Sequence, residues 1–163
     1  RFYAGESIDF IARRIMICAA EDVGLANPQA LVVATAAADA VRQIGMPEAQ
    51  IILSEAVLCV ATSPKSNSAV NAIFSAMDTV ENKDVDPVPS HLQDAHYGGH
   101  EKLGHGVGYK YAHSYPNHSV DQQYLPDNLV GTKFYEPGEL GDEKKVKEYF
   151  HEFFREHIHV IML

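Results

Sequence analysis

The feature that most constrains this chain is a helical repeat of apolar residues, broken at intervals by proline and glycine. Throughout the first half, apolar side chains recur three and four positions apart, which is the spacing of one helix face. Asn27-Pro28 predicts a helix N-terminus and Gly45 a left-handed helix end. Pro47 predicts the start of a third helix, and Pro64 predicts its end. We therefore expect four helices whose Ala-rich faces allow a compact bundle.

The two halves of the chain differ in composition, and this difference predicts two regions, 1–80 and 81–163. The first region holds both cysteines, four of the fifteen aromatic residues and no histidine, whereas the second holds all nine histidines. Glycine and proline interrupt every apolar run between residues 81 and 142. We expect irregular but ordered chain there, packed on the first region, with a short helix near residues 90–103.

A C-terminal amphipathic helix is predicted after this irregular segment. Val146 and four aromatic residues share one helix face, and charged residues surround it. The aromatic face needs a partner, so we expect it at an interface: Tyr149, Phe150, Phe153 and Phe154. The expected fold is all-α. Residues 156–163 end in an apolar run to which we assign no function.

The net charge excludes some classes of protein. Thirteen Lys and Arg residues oppose 22 Asp and Glu residues, a formal charge of −9, so nucleic-acid binding by the chain alone is not expected. Cys18 and Cys59 lie in apolar stretches without paired spacing, so neither a disulfide framework nor a zinc knuckle is indicated. No apolar run has the length of a membrane span.

Three short motifs allow a chemical and a structural interpretation. The alternating glycines of 104–108 lack the Gly-Lys-Ser/Thr of a phosphate loop, which favours turns. The segment 63–67 could hold an anion at a helix N-terminus, although a capped helix start is favoured. The adjacent acids Glu21 and Asp22 could form a carboxylate pair, but a structural role is favoured.

Histidines provide the remaining candidate site, because six of them fall between residues 91 and 118. His96 and His100 are four apart and would share a helix face. His100 and His105 resemble the zinc-protease motif HExxH with one residue too many, which places them about 140° apart on a helix. A metal-dependent hydrolase is one alternative, but surface and hydrogen-bonding histidines are favoured. We assign no catalytic, cofactor or metal residue.

Several motifs resemble a known family. Residues 20–28 and 61–67 are similar to the clamp-loader-type helical domain of the RarA/MgsA family of AAA+ ATPases, which includes the Werner-helicase-interacting protein. Residues 106–118 and 122–127 resemble the C-terminal motifs of that family, and Phe134-Tyr135 and Gly141 follow in the same order. The motif residues, expected to be structural or interface residues, are Glu21, Asp22, Asn27, Pro28, Pro64, Lys65, Ser66, Asn67, Tyr109, Tyr111, His113, Pro116, Asn117, His118, Gln123, Tyr124 and Pro126.

The resemblance implies a region without its own catalysis. The first region would resemble the collar of clamp-loader subunits, while ATP and Mg would bind an N-terminal module that is missing here. Family members are DNA-dependent ATPases at stalled replication forks, and they form homotetramers through this region. We therefore expect self-association, DNA contact through the full assembly with weak or no DNA binding by this chain, no membrane, and a cytoplasmic, nucleoid-associated location. A helical adaptor that recruits single-strand-binding protein or other fork proteins is the alternative. Ser114, where the family usually has Asp, and the histidines of 91–105 depart from the pattern.

Overall fold

The computed structural model describes residues 5–153, except for the side chains at positions 100, 101 and 151–153. These residues form α-helices, single helical turns and irregular chain, and the described part contains no strand. The all-α expectation is therefore confirmed. The α-helices are α1 (Ile8–Cys18), α2 (Gln29–Ile44), α3 (Ala49–Thr62), α4 (Ser68–Asn82) and α5 (Asp142–Phe153). None of the described helices combines the length and the apolar character that crossing a bilayer requires.

Contacts within the chain define two compact units. The first unit extends to Phe74 and resumes over Tyr135–Glu148; the second is Ser75–Phe134 and resumes at Tyr149. The first unit therefore contains α1, α2, α3 and the beginnings of α4 and α5. The predicted division at residues 80 and 81 stays a prediction, as does the packing of one region on the other.

The helix boundaries of the first unit follow local sequence signals. Ser7 caps α1 because its Oγ accepts a hydrogen bond from the Phe10 N–H at 3.1 Å. Gly45 has φ +73° and donates its N–H to the Val41 carbonyl, which ends α2 as predicted. The extended Ser63 before Pro64 ends α3, also as predicted.

The start of α3 differs from the prediction. Pro47 does not open the helix, which begins at Ala49. The Ala49 N–H donates to the Gly45 carbonyl at 2.9 Å, so residues 46–48 form a turn between the glycine and the helix. Proline fixes its own φ but does not make the residues around it helical, and here the turn after Gly45 takes precedence.

The core of the first unit is built mainly from alanine. Helices α1, α2 and α3 pack on one another, and the π-helical segment Ala19–Val23 continues α1 into the same core. Small side chains let helix backbones approach closely, as the Ala-rich pattern predicts. The buried residues of this core are Ala12, Ile15, Ala19, Val23, Ala30, Ala34, Ala37, Ala38, Val41, Ala49, Leu53, Ala56 and Val60.

The second unit is irregular but ordered, as expected for this composition. The predicted helix over residues 90–103 is wrong: two short 3-10 turns, Ser90–Leu92 and His100–Leu103, form instead. Gly99, with φ +91°, lies between them and interrupts any continuous helix. Asp86 and Asn128 pair through reciprocal backbone-to-side-chain hydrogen bonds of 3.2 Å. Such contacts replace the regular ladders of a helix or sheet.

Candidate functional site

The two motifs of the first half meet in the first unit. The Ser66 N–H donates to the Asp22 carbonyl at 2.9 Å, and the Asn27 amide donates to Ser63 Oγ at 2.9 Å. Gly24 of the first motif has φ +51°, and a Cβ there would be 2.9 Å from the Ser66 carbonyl oxygen of the second motif. A larger residue at position 24 would therefore push the two segments apart. Both motifs build one junction among α1, α3 and α4.

Asn27 and Pro28 only partly match their predicted capping role. The backbone conforms, because Asn27 is extended, Pro28 is helical and the Asn27 carbonyl accepts from the Ala30 N–H. The side chain of Asn27 does not cap α2, and that part of the prediction is wrong. Its amide instead donates to Ser63, a tertiary contact 36 residues away that outcompetes the local bond.

The acids Glu21 and Asp22 lie in the π-helical segment rather than at the N-terminus of α2. Glu21 is exposed, and Asp22 accepts a hydrogen bond from the Cys18 thiol at 2.9 Å. This hydrogen bond and partial burial raise the pKa of Cys18, so the thiol stays protonated and weakly reactive. The local geometry favours the structural interpretation of both acids over a paired catalytic site.

Glu143 is the main feature that sequence reasoning missed. It lies in the first turn of α5 and is fully buried in the first unit. Its Oε1 accepts from the hydroxyls of Ser68 and Tyr135, the latter at 2.9 Å, and its Oε2 accepts from the Gly138 N–H at 3.1 Å. The Ser66 hydroxyl contributes a further bond. A buried carboxylate with this many donors holds residues 135–143 to the start of α4.

The electrostatics of Glu143 result from two opposing effects. Burial by itself would raise its pKa, but the hydrogen bonds from Ser66, Ser68, Tyr135 and Gly138 outweigh burial and lower it. For Tyr135, burial and the hydrogen bond to Glu143 raise the pKa. Glu143 is therefore ionised and Tyr135 neutral near neutral pH. From the sequence, residues 63–67 could hold an external anion at a helix N-terminus. In the structure the Glu143 carboxylate of the same chain lies beside this segment.

The remaining residues of the 63–67 segment have local structural roles. The Ser68 N–H donates to Ser66 Oγ at 3.2 Å, and the Asn67 carbonyl accepts from the Asn71 N–H, as in a capped helix start. Lys65 donates its ammonium to the Val60 carbonyl near the end of α3. These contacts favour the capped-helix interpretation.

Three rings of the 106–118 motif form a cluster in the second unit. The ring centroids of Tyr111 and His113 are 5.1 Å apart, and those of His113 and His118 are 4.9 Å apart. Tyr109, Pro116 and the three rings are all exposed. We call Tyr111, His113 and His118 the ring cluster. Asn117 lies inside it with a left-handed φ of +54°.

The 122–127 motif contributes contacts within the irregular chain of the second unit. Gln123 donates its amide to the Leu125 carbonyl and to Asp127 Oδ1, and its own carbonyl bonds to the His91 ring at 2.8 Å. Tyr124 is half-buried, and Pro126 precedes the turn Asp127–Leu129. Gln123, Tyr124 and Pro126 therefore contribute to ordering the loop.

The glycine and histidine motifs adopt turns. Gly104, Gly106 and Gly108 all have positive φ, and a Cβ on Gly106 would lie 2.5 Å from Ala95 Cβ. His96 is exposed, with its ring 2.7 Å from Asp94 Oδ1. The His100 side chain lies outside the described residues. Within the described part of the chain, no three histidine, cysteine or acidic residues are grouped as metal ligands would be.

An apolar groove opens in the first unit between α1 and α3, with a volume of about 740 Å³. The charged residues that line it are both cationic, Arg14 and Lys65. The other lining residues are apolar or neutral: Phe10, Ile11, Ile15, Cys18, Gln50, Leu53, Ser54, Val57, Val60 and Ala61.

The predicted aromatic face of α5 is described only in part. Tyr149 is exposed, Phe150 is half-buried, and their rings are 6.4 Å apart. The side chain of Phe153 and all of Phe154 lie outside the described residues. Their interface role stays a prediction.

Comparison with known proteins identifies the origin of these motifs. Residues 2–153 match the family described as MgsA AAA+ ATPase C terminal. The chain belongs to this family. Among relatives of the MgsA C-terminal family, it is 44% identical over 141 residues to replication-associated recombination protein A of Bacillus subtilis, covering 86% of this chain and 34% of that protein.

Two further relatives extend the range of organisms. An AAA domain-containing protein of Mycobacterium tuberculosis is 49% identical over 143 residues, which is 88% of this chain and 32% of that protein. ATPase WRNIP1 of Dictyostelium discoideum is 36% identical over 128 residues, 78% of this chain and 15% of that protein. The chain spans about a third of the length of the two bacterial relatives.

Proposed function

We propose that this chain is a self-association and positioning region of an AAA+ ATPase that acts in replication-associated recombination, and that it catalyses no reaction itself. The family match and the name of the Bacillus subtilis relative support the biological setting. ATP and Mg would bind a separate ATPase module. DNA would be bound chiefly by the full assembly, in the cytoplasm at the nucleoid. A homotetramer would hold four ATPase modules at high effective concentration.

The observation that carries this proposal is the outer face of α3, defined as Ile51, Glu55, Leu58 and Thr62. Ile51 is 68% exposed and Leu58 is 59% exposed, although the opposite side of the helix is buried in the core. Ile51 and Leu58 thus expose large apolar side chains on a face that also carries Glu55 and Thr62, and such exposed apolar residues rimmed by polar ones are typical of interaction sites. A second copy of the chain would cover this face and remove both side chains from water.

The exposed apolar surface of α4 supports the same interpretation. The sequence predicts a stripe of Val70, Ile73, Phe74, Met77 and Val80, and the last four of these residues are exposed. Exposed large apolar side chains of this kind are typical of interaction sites in proteins. Self-association would bury these apolar residues of α4, which are exposed in the isolated chain.

The test is sedimentation of the double variant Ile51→Glu/Leu58→Glu. Each large apolar side chain contributes about 1.5–3 kcal/mol on burial, so both changes should weaken association at least about 100-fold. Lys83→Glu, at an exposed polar position, is the control for added negative charge and should leave association unchanged. Unchanged association of a folded double variant would contradict a role for the α3 face.

The apolar groove favours a second candidate function, an adaptor for single-strand-binding protein or another fork protein. Arg14 forms no hydrogen bond or ion pair with any described residue, so its charge remains available at the groove. An acidic peptide with apolar side chains would complement this lining. Binding of single-strand-binding protein, measured by calorimetry, should fall at least tenfold in Arg14→Glu and remain in Lys83→Glu. No binding by the wild-type chain would exclude an adaptor for single-strand-binding protein.

A further inference from the structure

Helix α4 turns its large apolar side chains outward. Its half-buried and buried positions carry mostly small residues, among them Ala72, Ala76 and Thr79. A helix whose outer side stays in water normally shows the opposite arrangement, with polar residues outside and large apolar residues inside. Phe74 is 63% exposed and Val80 is 67% exposed. We call the large exposed residues of this helix the outer α4 face: Ile73, Phe74, Met77 and Val80.

The outer α4 face has the spacing of a helix that binds in a groove. Ile73, Met77 and Val80 are four and three residues apart, so their side chains follow one line along the helix. At 1.5 Å per residue this line is about 10 Å long. The residues of α3 that line the apolar groove extend from Gln50 to Ala61, about 16 Å of helix. The groove is therefore long enough to receive the whole outer α4 face.

One end of the groove is cationic. The pKa of the Cys18 thiol is raised, chiefly by its hydrogen bond to Asp22. The charges of Arg14 and Lys65 oppose that rise, so both cations lie close to the thiol, where α1 ends. Lys65 also donates its ammonium to the Val60 carbonyl, which fixes its position beside the groove.

No acidic side chain is among the described residues that line the groove. The neighbouring Asp22 accepts the hydrogen bond of Cys18 at 2.9 Å, and Asp9 of α1 is paired with Arg42 at 2.8 Å. Ion pairs act over a few ångströms, so the side chains that line the groove decide which charge is attracted there. A docked acid would meet Arg14 without a competing acid in the lining.

Helix α4 carries the complementary charge. Asp78 is four residues after Phe74 and Glu81 is four residues after Met77, so both acids continue the outer α4 face toward the C-terminal end of the helix. The helix itself contains no lysine or arginine, and residues 78–86 hold four acids and one lysine, a formal charge of −3. A helix C-terminus also carries partial negative charge. This end of α4 therefore favours a cationic neighbour.

We propose that the outer α4 face of one copy of the chain binds in the apolar groove of a second copy, with Glu81 beside Arg14. The proposal rests on self-association and names the two surfaces that meet. Large apolar side chains would leave water on both sides of the contact, and the acidic end of α4 would lie at the cationic end of the groove.

The two surfaces are different, so the contact is head-to-tail. Each copy can offer its groove to one neighbour and its outer α4 face to another, and such contacts form a ring when the rotation between copies closes. The outer face of α3, with Ile51 and Leu58, belongs to neither surface and stays available for a separate contact.

The test is charge reversal on each surface, followed by sedimentation and light scattering of the whole chain over a wide concentration range. Arg14→Glu places an acid opposite Glu81, and Glu81→Arg places a cation opposite Arg14. Each change should weaken association at least about tenfold. The double variant Arg14→Glu/Glu81→Arg restores opposite charges, so its association should return to within about threefold of the wild type.

Mixing the two single variants shows that the contact lies between copies. An equimolar mixture should associate more tightly than either variant alone, because the acidic groove of one variant then meets the cationic α4 of the other. Lys133→Glu and Glu136→Arg reverse exposed charges outside both surfaces, and these controls should leave association unchanged.

Three outcomes would overturn the proposal. Unchanged association of both single variants, or no recovery in the double variant, would overturn it and leave self-association intact. A wild-type chain that is monomeric at every concentration would overturn both. Loss of acidic-peptide binding in Arg14→Glu without a change in mass would assign the groove to another protein instead of a second copy.

Discussion

Replacing Glu143 by alanine should destabilise the first unit by about 3–5 kcal/mol. The wild-type carboxylate is fully buried and accepts hydrogen bonds from Ser68, Tyr135 and the Gly138 N–H. Each bond to a charged acceptor contributes about 1.5–3 kcal/mol, but such bonds are not additive. The variant also leaves these donors buried around a cavity. The estimated loss is therefore well below the sum of the free energies of the individual hydrogen bonds.

Urea unfolding followed by circular dichroism measures this loss directly. For a chain of this size, about 1 kcal/mol corresponds to about 2–4 °C in Tm, so Tm should fall by about 6–20 °C. Glu136→Ala, an exposed acid in the same segment, is the control and should change stability by less than about 0.5 kcal/mol. A loss below about 1 kcal/mol in Glu143→Ala would refute the reasoning that this carboxylate holds residues 135–143 in place.

Three further predictions concern the same region and α5. Because the pKa of Glu143 is lowered on folding, its contribution is present above the unfolded value of about 4.3 and is lost as the pH falls through the folded value. The stability difference between the wild type and Glu143→Gln should therefore shrink on acidification, and a constant difference in urea unfolding would contradict this. Gly141→Ala should destabilise by about 2–4 kcal/mol, because its Cβ would lie 2.0 Å from the Ala26 carbonyl oxygen at φ +60°. Gly131→Ala, with φ +83° and open space, measures the dihedral cost alone and should lose only about 1 kcal/mol in the same assay. Phe150→Asp should yield a folded chain of lower mass by light scattering if α5 lies at an interface, whereas a misfolded variant would place Phe150 in a core.

The helices of the first unit were predictable because their signals are local. The capping side chain of Ser7, the left-handed Gly45 and the break at Pro64 act within a few residues of the boundaries that they set. The Ala-rich core was predictable for the same reason, since helical spacing alone brings Ala34, Ala37 and Ala38 to one face.

The tertiary contacts were not predictable in this way. Glu143 reaches Ser68 across 75 residues, and nothing in its neighbourhood distinguishes it from an ordinary acid in the first turn of a helix. A signal was present in Gly138 and Gly141, whose missing Cβ atoms leave room for Glu143 and for the Ala26 carbonyl, but only the fold reveals those neighbours. Asn27 failed as a cap for a similar reason, because Ser63 approaches it from a distant segment.

The residues of the ring cluster appear in the sequence as a family motif, but its geometry does not. Spacing places Tyr111 and His113 two apart, and only the left-handed turn at Asn117 brings His118 back to them.

The absolute mass of the 163-residue chain, measured by size-exclusion chromatography with light scattering over a wide concentration range, tests the central claim most directly. Self-association through apolar surface predicts a species of about four chains. This species should persist on dilution as long as the chain concentration stays well above the dissociation constant. A mass of 18.0 kDa at every concentration would contradict self-association by this chain.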